Sequence, residues 1–238
     1  MRRFFLAPDD FEKLIISGDE FNHLKNVLRM SVGDEFLGFT GDKYDYHCKI
    51  TSIAKNYATF EILNKTENLA NPTLKVVLVQ ALCKADKLEL ITQKISEIGA
   101  SELLPVYFKN CDVKQNTGKL ARLEKIAISA TKQCKRSTIL KICECVTLKE
   151  LPAILKQFDV VLLCNTREDN KNIREVLQNN KNISSVAIIV GPEGGFDPDE
   201  IKNLTDAGAI SISLGKRILR TETAGLYVLS VLADMLRI

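Results

Sequence analysis

Hydrophobic residues in the last two thirds of the chain form short continuous runs, and these runs alternate with stretches of helical periodicity. The apolar runs have the β-branched composition of buried strands, whereas the stretches between them repeat apolar residues every three or four positions. Strands that alternate with helices predict an α/β domain with a mainly parallel sheet covered on both faces. The predicted strands are 74–82, 103–106, 159–164, 185–190 and 209–214, and the main predicted helices are 86–99, 119–133, 172–178 and 223–237.

The first 70 residues have a different pattern, with short strands at 35–40, 44–53 and 58–63 separated by turns. One helix is predicted over 19–29. Short strands at this spacing are typical of a small β-barrel. The Asn-Pro pair at Asn71 and Pro72 punctuates the chain, so two domains are expected, over 1–70 and 71–238.

Three pairs of polar residues predict helix starts. In each pair, a Ser, Thr or Asp side chain is followed three positions later by Glu, the spacing of a capping box. The pairs are Asp86 with Glu89, Thr147 with Glu150, and Asp197 with Glu200, the last with Pro198 at the first helical position.

Two loops directly follow two of the predicted strands. The first contains Gly191-Pro192-Glu193-Gly194-Gly195-Phe196, and the second runs from Leu214 to Ala224. Open α/β sheets bind ligands at the carboxyl ends of their strands, and glycine lets a ligand approach the backbone closely. A plainer alternative is that these glycines only form tight turns. Neither loop matches the dinucleotide or phosphate-loop fingerprint, so a ligand other than a pyrophosphate is predicted.

Composition excludes some classes of protein. The chain has 238 residues, of which 45% are hydrophobic and 26% charged, and no apolar run reaches the roughly 18 residues that a transmembrane helix needs. The seven cysteines lack metal-ligand spacing, and only two histidines are present. We therefore expect no metal site, no membrane segment, and reduced thiols in a cytoplasmic protein.

Positive charge concentrates between Lys109 and Lys141, where nine Lys or Arg residues stand against only Asp112 and Glu124. A charge run of this kind is commonly a solvated face. It also suits a polyanion such as RNA.

Several blocks of sequence resemble one known family. The two loops, together with Arg2-Arg3-Phe4-Phe5, residues 23–30, residues 80–87 and residues 93–99, are similar to motifs of the bacterial 16S rRNA (uracil-N3)-methyltransferases of the SPOUT superfamily. The resemblance implies a small PUA-like RNA-binding β-barrel over 1–70, followed by a SPOUT-type α/β methyltransferase domain with a deep trefoil knot over 71–238. It also implies S-adenosyl-L-methionine as cofactor, 16S rRNA as substrate, and a homodimer formed through the last helix. The alternative for the apolar face of that helix is ordinary core packing.

The same resemblance implies roles for individual residues. Arg220 is expected to stabilise the uracil anion, and Glu222 or Glu193 either accepts the N3 proton or caps a helix. The expected cofactor-binding residues are Cys164, Asn165, Thr166, Gly191, Pro192, Glu193, Gly194, Gly195, Leu214, Gly215, Ile218, Leu219, Thr223 and Ala224. The expected RNA-binding residues are Arg2, Arg3, Arg29, Lys84, Lys132, Lys135, Arg136 and Arg217.

The chain departs from the family pattern in three places. Lys132 stands where a Glu is usual, Lys135 where a Gly is usual, and Lys109-Asn110-Cys111 where Ser-Arg-Ser is usual.

The sequence leaves two alternative functions open. One is a SPOUT methyltransferase acting on tRNA or another rRNA nucleotide, and the other is a non-catalytic RNA-binding protein of ribosome assembly.

Overall fold

The computed structural model describes residues 1–113, 120–168, 171–180 and 182–236. These residues divide into an N-terminal unit, Met1–Asn71 with Thr131–Ile139, and a large unit, Pro72–Ala130 with Leu140–Ile238. The sequence pattern did not anticipate that a segment from the middle of the chain belongs to the N-terminal unit. The predicted start of one helix at Lys119 and the predicted end of another at Arg237 lie outside the described residues, as does Lys114 of the basic stretch.

The N-terminal unit is built on a five-stranded sheet in the order β1-β3-β4-β5-β2. Alternate residues of its longest hairpin, such as Tyr46, Cys48 and Ile50, are buried, as expected where one face of a sheet covers a core. Strands β1 and β3 pair in parallel, and the other pairs are antiparallel. The strands are β1 (Arg2–Phe5), β2 (Ile15–Ser17), β3 (Glu35–Phe39), β4 (Tyr44–Ile53) and β5 (Tyr57–Glu67), with helices α1 (Pro8–Glu12) and α2 (Gly18–Asn22).

The structure corrects two expectations in this unit. The single helix predicted over 19–29 is α2 followed by a π-helical turn, His23–Val27. Strands β1 and β2 were not predicted, because each is short and its hydrogen-bonding partner is distant in sequence. The strands predicted over 35–40 and 44–53 are confirmed as β3 and β4, and β5 extends beyond the predicted 58–63.

The large unit contains a mainly parallel sheet, which confirms the α/β prediction. Its strand order is β12-β10-β11-β6-β7-β8, and β9 also pairs with β7. The strands are β6 (Lys75–Ala81), β7 (Glu102–Tyr107), β8 (Lys141–Ile142), β9 (Val146–Thr147), β10 (Val160–Cys164), β11 (Ser185–Val190) and β12 (Ile210–Ile212). The helices are α3 (Ala85–Ile98), α4 (Leu120–Cys134, its last residues in the N-terminal unit), α5 (Leu151–Leu155), α6 (Ile173–Asn179), α7 (Pro198–Asp206) and α8 (Thr221–Leu236).

The central strands of this sheet are buried along their length. Every residue of β10 is buried, as are the residues of β11 after Ser185. Parallel strands covered on both faces read as continuous apolar runs, which is why they were predictable. Helix α3 buries Leu88, Ile91 and Ile95 and ends at Gly99, which adopts a φ of +122°.

One of the three predicted capping boxes is confirmed. At α7, Asp197 accepts a hydrogen bond from the Asp199 amide, and Glu200 accepts one from the Asp197 amide. The helix predicted from Asp86 is confirmed as α3, but its capping box is wrong, because α3 begins at Ala85 and its N-cap residue, Lys84, makes no side-chain capping hydrogen bond.

The prediction that Thr147 opens a helix is also wrong. Thr147 ends β9, and its amide and hydroxyl both donate to Glu150, after which α5 begins at Leu151. The pair therefore closes a turn between a strand and a helix.

No helix among the described residues is both long enough and apolar enough to cross a membrane.

Candidate functional site

Three loops meet at the carboxyl edge of the sheet in the large unit. The last residue of β10, Cys164, pairs with Val190 of β11 on one side and with Ile212 of β12 on the other. The loops that follow these strands therefore leave the sheet side by side. Together with the start of α8 they line a cavity of about 590 Å³.

The cavity collects most of the residues that the sequence predicted as cofactor-binding. Thirteen of the fourteen line it, and Arg220 and Arg217 line it too. Thr223 and Glu222 are not among the lining residues. The lining residues that the sequence prediction did not include are Lys87, Arg167, Val190, Phe196, Ile201, Ser213, Lys216 and Thr221.

Four of these additional residues stand inside motifs that the sequence analysis singled out. Phe196 ends the glycine motif, Lys87 ends the block 80–87, and Lys216 and Thr221 lie within the second loop, 214–224. Arg167, Val190 and Ser213 stand directly beside predicted positions in the chain, so adjacency was their only signal. Ile201 lies on α7 beyond the glycine motif, and no pattern in the sequence distinguished it.

The loop after β11, residues 191–196, requires glycine at particular places. Gly195 has a φ of +74°, a region that side-chain-bearing residues rarely adopt, and its amide donates to the Pro192 carbonyl at 2.9 Å. A Cβ on Gly191 would lie 2.8 Å from the ring of Phe196. This glycine loop therefore packs its own phenylalanine beneath its first residue.

A cluster of three charged side chains stands at the cavity. The Lys87 ammonium lies 3.0 Å from Glu193 Oε1 and 3.3 Å from Glu222 Oε2. Glu193 lines the cavity and follows β11, whereas Glu222 belongs to the first turn of α8. Lys87 therefore joins the glycine loop to the last helix.

The ionisation of this cluster follows from its contacts. Partial burial opposes ionisation of Glu193, but the hydrogen bond and charge of Lys87 outweigh it and hold the pKa of Glu193 below its usual value. The hydrogen bond to Glu193 likewise raises the pKa of Lys87, with Glu222 adding to the effect. Glu193 is thus an anion and Lys87 a cation at neutral pH.

Arg220 is placed differently from these residues. It precedes α8, is exposed, and lines the cavity. Within the described parts of the chain no ion pair or side-chain hydrogen bond engages its guanidinium. Its five N–H donors are therefore available to a ligand in the cavity.

The cysteine thiols near the cavity are protonated at neutral pH. Burial raises the pKa of Cys164, and the pKa of Cys83 as well, each to about 12. Covalent catalysis by a thiolate therefore does not fit this site. Across the described residues no group of three or more His, Cys, Asp or Glu side chains is arranged to hold a metal ion.

Three of the expected RNA-binding residues make internal contacts in the N-terminal unit. The Arg3 guanidinium forms two hydrogen bonds with Asp45, of 3.0 and 2.7 Å. Lys132 pairs with Glu20 at 2.8 Å, and Arg136 is 3% exposed and donates to Thr138. These contacts assign all three a role in holding this unit together, whatever else they bind.

The other expected RNA-binding residues are exposed. In the N-terminal unit they are Arg2, Arg29 and Lys135, the last two with left-handed φ values of 53° and 68°. In the large unit they are Lys84 and Arg217. Their charges face solvent, as phosphate contacts require.

Two family models match the chain. One, described as an RNA methyltransferase domain, matches residues 70–233. The other, described as an RNA methyltransferase PUA domain, matches residues 16–63. Between them the two matches include residues of both structural units.

Similar proteins match over nearly the whole chain. "Ribosomal RNA small subunit methyltransferase E" of Mesomycoplasma hyopneumoniae is 35% identical over 97% of this chain and 98% of that protein. The protein of the same name from Bacillus subtilis is 30% identical over 98% of this chain and 96% of its own length.

Two similar crystal structures contain the cofactor. A ribosomal RNA small subunit methyltransferase E from Neisseria gonorrhoeae, bound to S-adenosyl methionine, has a TM-score of 0.86 at 28% identity and covers 99% of this chain and 98% of its own. A putative methyltransferase from Legionella pneumophila, in complex with the same cofactor, has a TM-score of 0.81 at 31% identity and covers 93% and 91%.

Proposed function

Because the chain belongs to the RNA methyltransferase family that includes ribosomal RNA small subunit methyltransferase E, we propose that it transfers a methyl group from S-adenosyl-L-methionine to N3 of a uridine in 16S rRNA. Family membership confirms the resemblance that the sequence motifs indicated. The observation that carries the proposal for this chain is the cavity where three loops of the parallel sheet meet, lined by thirteen of the fourteen expected cofactor residues.

The cavity fits the cofactor in size and chemistry. Its volume of about 590 Å³ is in the range of small-molecule sites, and its wall combines apolar side chains with glycine backbone. Leu214, Ile218 and Leu219 provide an apolar surface for the adenine. The glycine loop lets the ribose and methionine groups lie against main chain, and the anionic Glu193 complements a positive ligand. When bound, S-adenosyl-L-methionine supplies the electrophilic methyl group on its sulfonium.

Arg220 is the residue that we assign to the reacting base. N3 of uridine becomes nucleophilic only when its proton leaves, and the resulting negative charge spreads over O2 and O4. A guanidinium at the cavity, which has no ion pair with any described residue, stabilises that charge as it develops. Holding N3 and the methyl group in line supplies further acceleration through proximity.

The two carboxylates of the cluster take different roles in this proposal. A general base must reach the proton that it removes, and of Glu193 and Glu222 only Glu193 lines the cavity. We therefore assign proton acceptance to Glu193. Glu222, one of whose carboxylate oxygens is buried against Lys87, acts as a positioning residue that holds this lysine.

RNA binding is assigned to both units. A PUA-like domain over 1–70, extended by the segment 131–139, carries Arg2, Arg29 and Lys135 as phosphate contacts. The methyltransferase domain, which is the remainder of 71–238, carries Lys84 and Arg217. A cytoplasmic location follows from the proposed substrate.

We also propose a homodimer formed through the last helix. Helix α8 packs against α3, and the two helices carry the large apolar side chains of Tyr227 and Leu90, which are 46% and 43% exposed. Burying such side chains against a second copy removes apolar surface from water. Sedimentation equilibrium of the wild type and of Tyr227→Asp measures this association directly.

A trefoil knot of the SPOUT type is part of the same proposal. Strand β12 lies at the sheet edge beside β10, yet the helix that follows it packs against α3, β11 and β6. The chain after β12 therefore returns past β10 to the middle of the sheet, and this return supports the proposal of a threaded path. A knot remains when the two ends of a chain are pulled apart. An experimental structure in which the backbone path of residues 160–236 contains no such knot would contradict this part of the proposal.

The function is tested with purified protein, labelled S-adenosyl-L-methionine, and either free 16S rRNA or small ribosomal subunits. We expect heat of cofactor binding by calorimetry and 3-methyluridine in the nucleosides of the digested rRNA. Label found only in tRNA, or on another rRNA position, would replace the proposed substrate. No heat of binding and no label would identify a non-catalytic RNA-binding protein.

A further inference from the structure

The segment that follows β7 contacts the outer side of the glycine loop. The Asn110 carboxamide nitrogen donates a hydrogen bond of 3.0 Å to the Gly195 carbonyl oxygen. Asn110 does not line the cavity, whereas Gly195 does. Asn110 therefore contacts a residue of the cavity wall without lining the cavity itself.

The two segments are packed closely at this contact. A Cβ on Gly194 would lie 3.0 Å from Asn110 Cβ and 3.2 Å from its backbone oxygen, so glycine is needed there. Below them the buried rings of Phe108 and Phe196 meet edge to face, with centroids 5.2 Å apart and planes at 88°. Aromatic pairs prefer this arrangement, which fixes the end of the glycine loop against the end of β7.

Lys109 anchors the same segment to α7. Its amide donates to Glu200 Oε1 at 2.7 Å, and its ammonium pairs with Asp197 at 2.5 Å. Glu200 is only 4% exposed, and its second oxygen completes the capping box of α7. The Asn110 backbone is thus held in place by two contacts that do not involve its own side chain.

We propose that Asn110 is a positioning residue of the methyltransferase site, which holds the Gly195 carbonyl and so keeps the glycine loop in the shape that accepts the cofactor. The inference rests on the function proposed above. It gives a role to the departure of Lys109-Asn110-Cys111 from Ser-Arg-Ser, since the side chain at position 110 is here a short neutral donor matched to a backbone carbonyl.

The test compares two variants at this position with one matched control. Asn110→Asp replaces the donor by an acceptor that repels the carbonyl, and Asn110→Ala removes the donor without adding charge. Asn180→Asp is the control, because its carboxamide also donates to a backbone carbonyl, that of Val176 at 2.7 Å, but lies outside the residues lining the cavity. Calorimetry gives the Kd for S-adenosyl-L-methionine, thermal unfolding gives Tm, and steady-state assays give KM and kcat.

Loss of one such hydrogen bond predicts a Kd and a cofactor KM raised about 3- to 10-fold in both Asn110 variants. We expect kcat at saturating cofactor to stay within about twofold and Tm to stay near the wild-type value, because Asn110 is at the surface. A purely structural role would lower Tm or the active fraction and leave KM unchanged.

Two results would overturn the inference. One is an unchanged Kd in both Asn110 variants while the wild type binds the cofactor. The other is an equal rise in the Kd of Asn180→Asp. Absence of binding by the wild type itself is a separate outcome, which rejects the proposed function.

Discussion

The side-chain hydroxyl of Thr221 donates a 2.8 Å hydrogen bond to the carbonyl oxygen of Gly191. This contact joins the first residue of α8 to the first residue of the glycine loop. Gln80, at the end of β6, in turn donates to the Thr221 hydroxyl at 2.8 Å, and both side chains are buried. A short chain of hydrogen bonds therefore joins β6 to α8 and to the glycine loop, and the last two of these elements line the cavity.

Thr221→Val should weaken this site without changing its shape. The variant keeps the volume of the side chain, but one N–H of the buried Gln80 carboxamide loses its acceptor and the Gly191 carbonyl loses its donor. The expected cost is about 1–3 kcal/mol in the free energy of unfolding. We expect weaker cofactor binding as well, because the start of the glycine loop loses its tie to α8. Urea unfolding and calorimetric titration with S-adenosyl-L-methionine measure the two effects.

Thr205→Val is the matched control for this variant. The Thr205 hydroxyl also donates to a backbone carbonyl, that of Ile201 at 2.9 Å, but it is exposed on α7. Its loss should change the free energy of unfolding by no more than about 0.5 kcal/mol. Equal destabilisation by the two variants would show that burial does not increase the contribution of the Thr221 hydrogen bonds to the free energy of unfolding.

Arg220→Ala should abolish most turnover and spare cofactor affinity. Removal of one group that stabilises charge in the transition state costs about 100- to 1000-fold in kcat. Arg174→Ala, which removes an exposed arginine of α6 that does not line the cavity, should leave kcat unchanged. Single-turnover methylation assays measure the effect, and a normal rate for Arg220→Ala would remove this residue from the mechanism.

The parallel sheet and its loops were predictable because each signal is local. Buried parallel strands read as continuous apolar runs, and β11 was predicted with the bounds that the structure has. The glycine loop follows it directly, and the left-handed conformation of Gly195 explains why that residue type stands there. Such features need no knowledge of distant contacts.

Contacts between distant residues could not be predicted in the same way. Lys87 meets Glu193 across 106 positions of the chain, and no periodicity links the two. The return of 131–139 to the N-terminal unit depends on polar contacts, in which Asn68 and Asn71 bind Ser137. The periodicity of apolar residues predicts which surfaces are buried, but it does not predict hydrogen bonds between polar residues that are distant in sequence.

Ionisation of Asp159 should make the free energy of unfolding depend on pH at acid pH. Its carboxylate accepts hydrogen bonds from the amides and hydroxyls of Ser184 and Ser185, which lower its pKa from 3.8 to about 2. The folded state thus holds its proton less tightly than the unfolded state. The stability that Asp159 contributes is present above about pH 4 and is lost as pH falls towards 2.

Asp159→Asn, which cannot ionise, provides the comparison. Urea unfolding at a series of pH values should show a smaller loss of stability between pH 4 and pH 2 in the variant than in the wild type. Parallel curves for the two proteins in this window would mean that the serine contacts do not shift the ionisation of Asp159.

Glu193 and Glu222 contact the same ammonium, so their glutamine variants form a matched pair. Glu193→Gln removes the carboxylate that lines the cavity, and loss of a general base typically lowers kcat by about 100-fold or more. Since the pKa of Glu193 is held below its usual value by Lys87, wild-type activity should fall only at acid pH, and the residual activity of the variant should not show this decrease.

Glu222→Gln is the control. It keeps an acceptor for Lys87 outside the cavity wall, so it should retain most of kcat and show the same decrease in activity at acid pH as the wild type. Methylation rates measured across pH distinguish the two variants. The reverse order of effects would make Glu222 the proton acceptor and Glu193 the residue that only holds the lysine.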